Sequence, residues 1–119
     1  MNCLLLVAHG SRMPETNEEI KRLVEGIRER TADRYDRVEY GFLEFAEPSF
    51  PEAFEACIKS GCEQIVVIPY LLAVGRHVTR DIPDLVRAKE SEHPDLKVRL
   101  TPYVGSAEGM LDLVLSIVP

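Results

Sequence analysis

The chain has 119 residues, and its 14 Lys and Arg against 20 Asp and Glu leave a net charge of −6 with the three histidines neutral. A chain of this length buries about two-thirds of its unfolded surface, so one domain over residues 1–119 is expected, with no need of disulfide or metal staples. The acidic balance, and the lack of any apolar run near the ~20 residues of a bilayer span, predict no nucleic-acid partner and no membrane partner.

In chain order, Cys3 to Ala8 is a continuous apolar segment, as expected of a strand covered on both faces of a parallel sheet. No basic residue precedes it, so it does not read as a secretory signal, and a cytoplasmic location is expected. Pro14 suits a first helical turn, and Ile20, Leu23, Val24 and Ile27 then fall at i, i+3, i+4 and i+7. Val38, Tyr40, Phe42 and Leu43 mark a second strand that stops at Glu44-Phe45-Ala46-Glu47-Pro48. A short helix near Pro51 buries Phe54, Cys57 and Ile58 and ends at Gly61. Ile65 to Ile68 is a third strand rich in β-branched residues, and the long connection Tyr70 to Thr79 follows it. The third helix starts between Val78 and Ile82, because Pro83 is tolerated only in a first turn. Leu96, Val98 and Leu100 alternate as a fourth strand, and Ser106 is expected to cap a last helix striped by Leu111, Val114, Leu115 and Val118. Cys3, Cys57 and Cys62 are odd in number and form no CxxC pair, which reads as three reduced, structural thiols.

Alternating strands and helices predict an α/β fold with a doubly wound, four-stranded parallel sheet of order 2-1-3-4 and helices on both faces. Ligands of such sheets bind at the carboxyl ends of the strands, where the winding reverses between the first and third strands. His9, Glu44 and His77 converge there from three separate stretches. Imidazole and carboxylate suit divalent Co, Ni, Fe or Zn, and two or three ligands leave coordination positions open for transfer or catalysis. His9 or His77 can also act as a base near neutrality. Arg12, Arg76 and Arg80 lie in the same loops, read either as surface ion-pair partners or as receptors for ligand carboxylates. Gly10 and Gly75 are expected to allow positive φ or close backbone approach. Asp81 is read as a helix cap and His93 as a solvated surface residue.

The segments Val7-Ala8-His9-Gly10-Ser11-Arg12, Phe42-Leu43-Glu44-Phe45-Ala46-Glu47-Pro48 and Pro69-Tyr70-Leu71-Leu72-Ala73-Val74-Gly75-Arg76-His77-Val78-Thr79-Arg80-Asp81-Ile82-Pro83 resemble the short-form sirohydrochlorin cobaltochelatases. These are CbiX-type members of the small class II tetrapyrrole chelatases, and the similarity runs over essentially the whole chain. It implies a flavodoxin-like fold, usually homodimeric, that inserts Co2+, or alternatively Ni2+ or Fe2+, into sirohydrochlorin. The metal is then a substrate, and no permanently bound cofactor is expected. By the same resemblance His9 is a metal ligand and proton acceptor, His77 a second metal ligand and Glu44 an acid that assists the metal. Glu47 and the loop Leu72, Ala73, Val74, Gly75, Arg76 and His77 contact the tetrapyrrole. The chain departs from some relatives in having Val74 where they have a histidine or polar residue, and in lacking a histidine-rich insertion before the last strand. A non-catalytic tetrapyrrole or metal carrier is the alternative. A histidine phosphatase would need Arg before His9-Gly10, where Ala8 stands.

Overall fold

A computed structural model describes residues 1–119. The strands are β1 (Asn2–Ala8), β2 (Arg37–Phe42), β3 (Gln64–Tyr70) and β4 (Lys97–Leu100), all parallel, in the order β2-β1-β3-β4. The helices are α1 (Pro14–Arg30), α2 (Phe50–Lys59), α3 (Ile82–Glu92) and α4 (Met110–Leu115). The alternation of side chains along β1 builds two cores. Cys3, Leu5 and Val7 face Phe50, Phe54 and Cys57 of α2 and Ile82 and Val86 of α3. Leu4, Leu6 and Ala8 share the other core with Ile20 and Val24 of α1. Each fully buried large apolar side chain here contributes roughly 1.5–3 kcal/mol.

Local signals act where expected. Pro14 opens α1, the Ser49 hydroxyl accepts from the Glu52 amide at the start of α2, and Gly61 turns the chain beyond its end at φ 96°. A π-helical turn, His77–Asp81, leads into α3, whose first turn holds Pro83.

Two expectations are corrected. Cys3 and Cys62 are disulfide-bonded, with Cα atoms 6.0 Å apart, and only Cys57 is a free thiol. The physical reason is register: Cys3 lies opposite Ile65, which brings the short turn before β3 alongside the start of β1. Burial pushes the Cys57 thiol up to about 11, so it stays protonated. The last helix is the second correction. Ser106 belongs to a 3-10 turn, where its hydroxyl donates to the Tyr103 carbonyl, and α4 starts four residues later, after Gly109. Its stripe does not pack on the sheet: Leu111, Leu113, Val114 and Leu115 are all at least half exposed.

Candidate active site

Sheet register brings the site together. Ala8 lies opposite Phe42 on one side and Tyr70 on the other, so three strands end at one level. Pairing continues past the strand ends, with the Leu43 amide donating to the Ala8 carbonyl and the Glu44 amide to the His9 carbonyl, both at 2.9 Å. Glu44 is therefore sewn beside His9, and its Oε2 sits 3.2 Å from His9 Nε2. The long connection after β3 returns His77 to the same place, with the two imidazole centroids 5.3 Å apart. All three side chains remain between about one-third and one-half exposed.

Hydrogen bonds assign the free ring nitrogens. His77 Nδ1 is 2.9 Å from Asp81 Oδ2, and a carboxylate only accepts, so Nδ1 carries the hydrogen and neutral His77 has a bare Nε2. His9 has an acceptor beside each ring nitrogen, the Gly10 carbonyl 3.2 Å from Nδ1 and Glu44 Oε2 3.2 Å from Nε2. With the hydrogen on Nδ1, Nε2 presents its lone pair beside the Glu44 carboxylate, an edge suited to a metal ion. Two imidazoles and one carboxylate are donors suited to a divalent transition metal, with His9 and Glu44 in contact and the His77 donor standing off, since the three donor atoms do not all lie within 4.8 Å of one another.

Asp81 is thus not a helix cap: its side chain makes no capping bond and instead orients His77. The i, i+4 spacing of His77 and Asp81 was the available signal. Phe45 is a second residue that sequence reading passed over. It has φ 64°, and the Ala46 amide donates across it to the Glu44 carbonyl at 2.8 Å, a strained γ-turn. Such a conformation costs about 1–3 kcal/mol in a bulky residue, and Phe45 is 54% exposed.

The expected substrate-contacting residues form the rim. Glu47 lines a cleft of about 300 Å3 together with Arg12, Lys21 and Phe45. Leu72 to Arg76 are exposed, and Leu72 and Val74 present apolar side chains. The root of this loop is fixed by the Gly105 amide, which donates to the Leu71 carbonyl at 3.0 Å, while a Cβ on Gly105 would lie 1.7 Å from the Leu72 carbonyl oxygen. Gly10 has φ 93°, as expected, whereas Gly75 needs neither positive φ nor close approach. None of Arg12, Arg76 and Arg80 has a carboxylate within 4.0 Å, so the surface-pairing reading does not hold for them.

Ligand atoms that do lie within 4.8 Å of one another, on Glu55, Glu92 and His93, are at the other end of the sheet, where α3 ends. His93 is half-buried there, with Nε2 3.4 Å from Glu55, and is not simply solvated. Lys89 Nζ sits 2.8 Å from the same Glu55 oxygen, holds that carboxyl below its usual range and supplies the cation itself. This cluster ties α2 to α3.

Residues 3–118 match the CbiX family. The chain is 43% identical to the sirohydrochlorin cobaltochelatase of Methanocaldococcus jannaschii over 93 residues, which are 78% of this chain and 64% of that one. It is 32% identical to the sirohydrochlorin ferrochelatase of Bacillus subtilis over 111 residues, 93% of this chain and 42% of that one. Among solved structures, the cobalt complex of the sirohydrochlorin chelatase SirB from Bacillus subtilis subspecies spizizenii superposes with a TM-score of 0.85 at 30% identity. That match covers 97% of this chain and 48% of SirB. The chain spans 62 to 64% of the length of three methanogen cobaltochelatases it matches.

Proposed function

The chain belongs to the CbiX family, and from that premise we propose that it is a sirohydrochlorin chelatase, one chelatase domain over residues 1–119 that inserts a divalent metal into the tetrapyrrole. The observation that carries this reading is the pair of imidazoles 5.3 Å apart beside Glu44, each with Nδ1 next to a hydrogen-bond acceptor and Nε2 available to an ion. His9 and His77 bind the incoming ion, Glu44 balances part of its charge, and Asp81 keeps His77 in the ligating tautomer. The ring must lose two pyrrole N–H protons as its nitrogens replace the protein donors. As the metal passes to the ring, His9 Nε2 regains its lone pair beside an anionic carboxylate and takes one of these protons. The other leaves to solvent through the open site. Sparse ligation serves this exchange, since a closed four-ligand cage would retain the ion. Leu72 and Val74 offer apolar contact to the macrocycle face, and Glu47 contacts its edge. Cobalt fits the 43% identity to a cobaltochelatase, and imidazole and carboxylate donors also accommodate nickel and iron.

The experiment is anaerobic insertion of Co(II), Ni(II) and Fe(II) into sirohydrochlorin, followed by absorbance with and without protein. Protein-dependent acceleration is expected, with cobalt the fastest. Tetrapyrrole or metal binding without acceleration would instead identify a carrier.

The chain matches about half of SirB, and its α4 stripe and the flanking Ile117 and Val118 are solvent-exposed. Both features support a homodimer in which a second copy covers this apolar surface. Light scattering is expected to give twice the 13.4 kDa chain mass, and Leu111→Asp combined with Val114→Asp to give a monomer. A wild-type monomer at micromolar concentration would count against the dimer. A cytoplasmic location belongs to the same reading; no helix is long and apolar enough to cross a membrane.

A further inference from the structure

We propose that Phe45 and Arg12 form a recognition site for a peripheral carboxylate of the tetrapyrrole, an inference that rests on the chelatase reading above. Phe45 stands in an unfavourable backbone conformation with over half of its surface in solvent, so core packing does not explain its placement. Its ring neighbours two groups: the His9 imidazole, 6.2 Å away between centroids, and the Arg12 guanidinium carbon, 4.6 Å from the ring centre. The guanidinium is therefore stacked on an aromatic face no more than about 11 Å from the His9 ring. A macrocycle centred over His9 reaches that far with one of its flexible acid arms.

The chemistry of Arg12 fits an anion that arrives with the substrate. In a chain of net charge −6 this side chain has no carboxylate within 4.0 Å, whereas Lys21 in the same cleft is already paired with Glu18 at 2.8 Å. The Phe45 face limits the rotamers of the long side chain and excludes water from one side of the planar fork, leaving its N–H donors for bidentate carboxylate binding. Arg76 and Arg80 also lack acid partners, but no aromatic face holds either of them. Phe45 is thus a positioning residue, and Arg12 the residue that reads the charge of the substrate edge.

Steady-state insertion separates this role from a structural one. Arg12→Gln is expected to raise KM for sirohydrochlorin about tenfold, to change kcat by less than about twofold and to flatten the rise of KM with NaCl. Phe45→Leu should reproduce part of the KM increase, and Phe45→Tyr should restore wild-type KM. Arg30→Gln, at the far end of α1, should change none of these. Binding of metal-free sirohydrochlorin, followed by its absorbance, should weaken in parallel in Arg12→Gln. An unchanged KM and an unchanged affinity in Arg12→Gln would overturn the proposal, as would a KM effect confined to Arg76→Gln. If the wild type binds the tetrapyrrole without accelerating insertion, the chelatase reading fails, and the binding titration still decides the role of Arg12.

Discussion

Replacing His9 and His77 together by alanine is expected to bring cobalt insertion down to the protein-free rate while leaving the fold intact. The expected loss is large because in the proposed mechanism the two rings hold the ion and His9 also removes a proton, a role worth about 10²–10⁴ on its own. Stability should hardly change. His9 is exposed, His77 only partly buried, and their hydrogen bonds run to the neighbouring Gly10 carbonyl and to Asp81 one turn away. A thermal midpoint within about 2 °C of wild type is therefore expected, since surface substitutions of this kind cost at most about 0.5 kcal/mol. The single variants should differ in kind. His77→Ala removes a ligand and should be partly rescued by high metal concentration; His9→Ala removes ligand and base together and should not be. Insertion at wild-type rate in the double variant would remove both residues from the mechanism.

The parts of this architecture that sequence could reveal are those set by local chemistry and by strand order. The unbroken apolar run Cys3 to Ala8 is buried on both faces of the sheet, and order 2-1-3-4 follows from strict alternation of strands and helices. The meeting of His9, Glu44 and His77 was legible for the same reason, since each follows the end of one of three adjacent strands. What lay outside reach depends on three-dimensional register or on contacts beyond one element. Cysteine spacing does not show that the turn holding Cys62 comes beside Cys3. The γ-turn at Phe45 directly follows the backbone pairing of Glu44 with His9 and leaves no trace in residue type. The apolar period of Leu111 to Val118 reads as a buried helix face, yet those side chains are exposed, because an apolar period does not say whether the same sheet covers it.

The second large effect is expected at Gly10. Its φ of 93° already disfavours any side chain, and a Cβ there would lie 1.8 Å from the Glu44 carbonyl oxygen. That oxygen cannot move freely. It accepts from the Ala46 amide, and the Glu44 amide is itself bonded to the His9 carbonyl. Gly10→Ala must therefore break the γ-turn or part the two loops. The expected cost is about 2–3 kcal/mol from φ strain and overpacking together, or a thermal midpoint lower by roughly 10 °C. The same displacement carries Glu44 away from His9 and Phe45 away from Arg12, so insertion should fall further than stability alone explains, at temperatures where the variant is still folded. Gly75→Ala supplies the contrast: no atom lies within 4 Å of its Cβ position and its φ is ordinary, so its stability should change by less than about 0.5 kcal/mol. A Gly10→Ala variant that melts with the wild type would mean that Glu44 is not held against His9 by this contact. Loss of activity in a folded Gly10→Ala protein would show that the backbone joining the first two loops sets the geometry on which the exposed side chains depend.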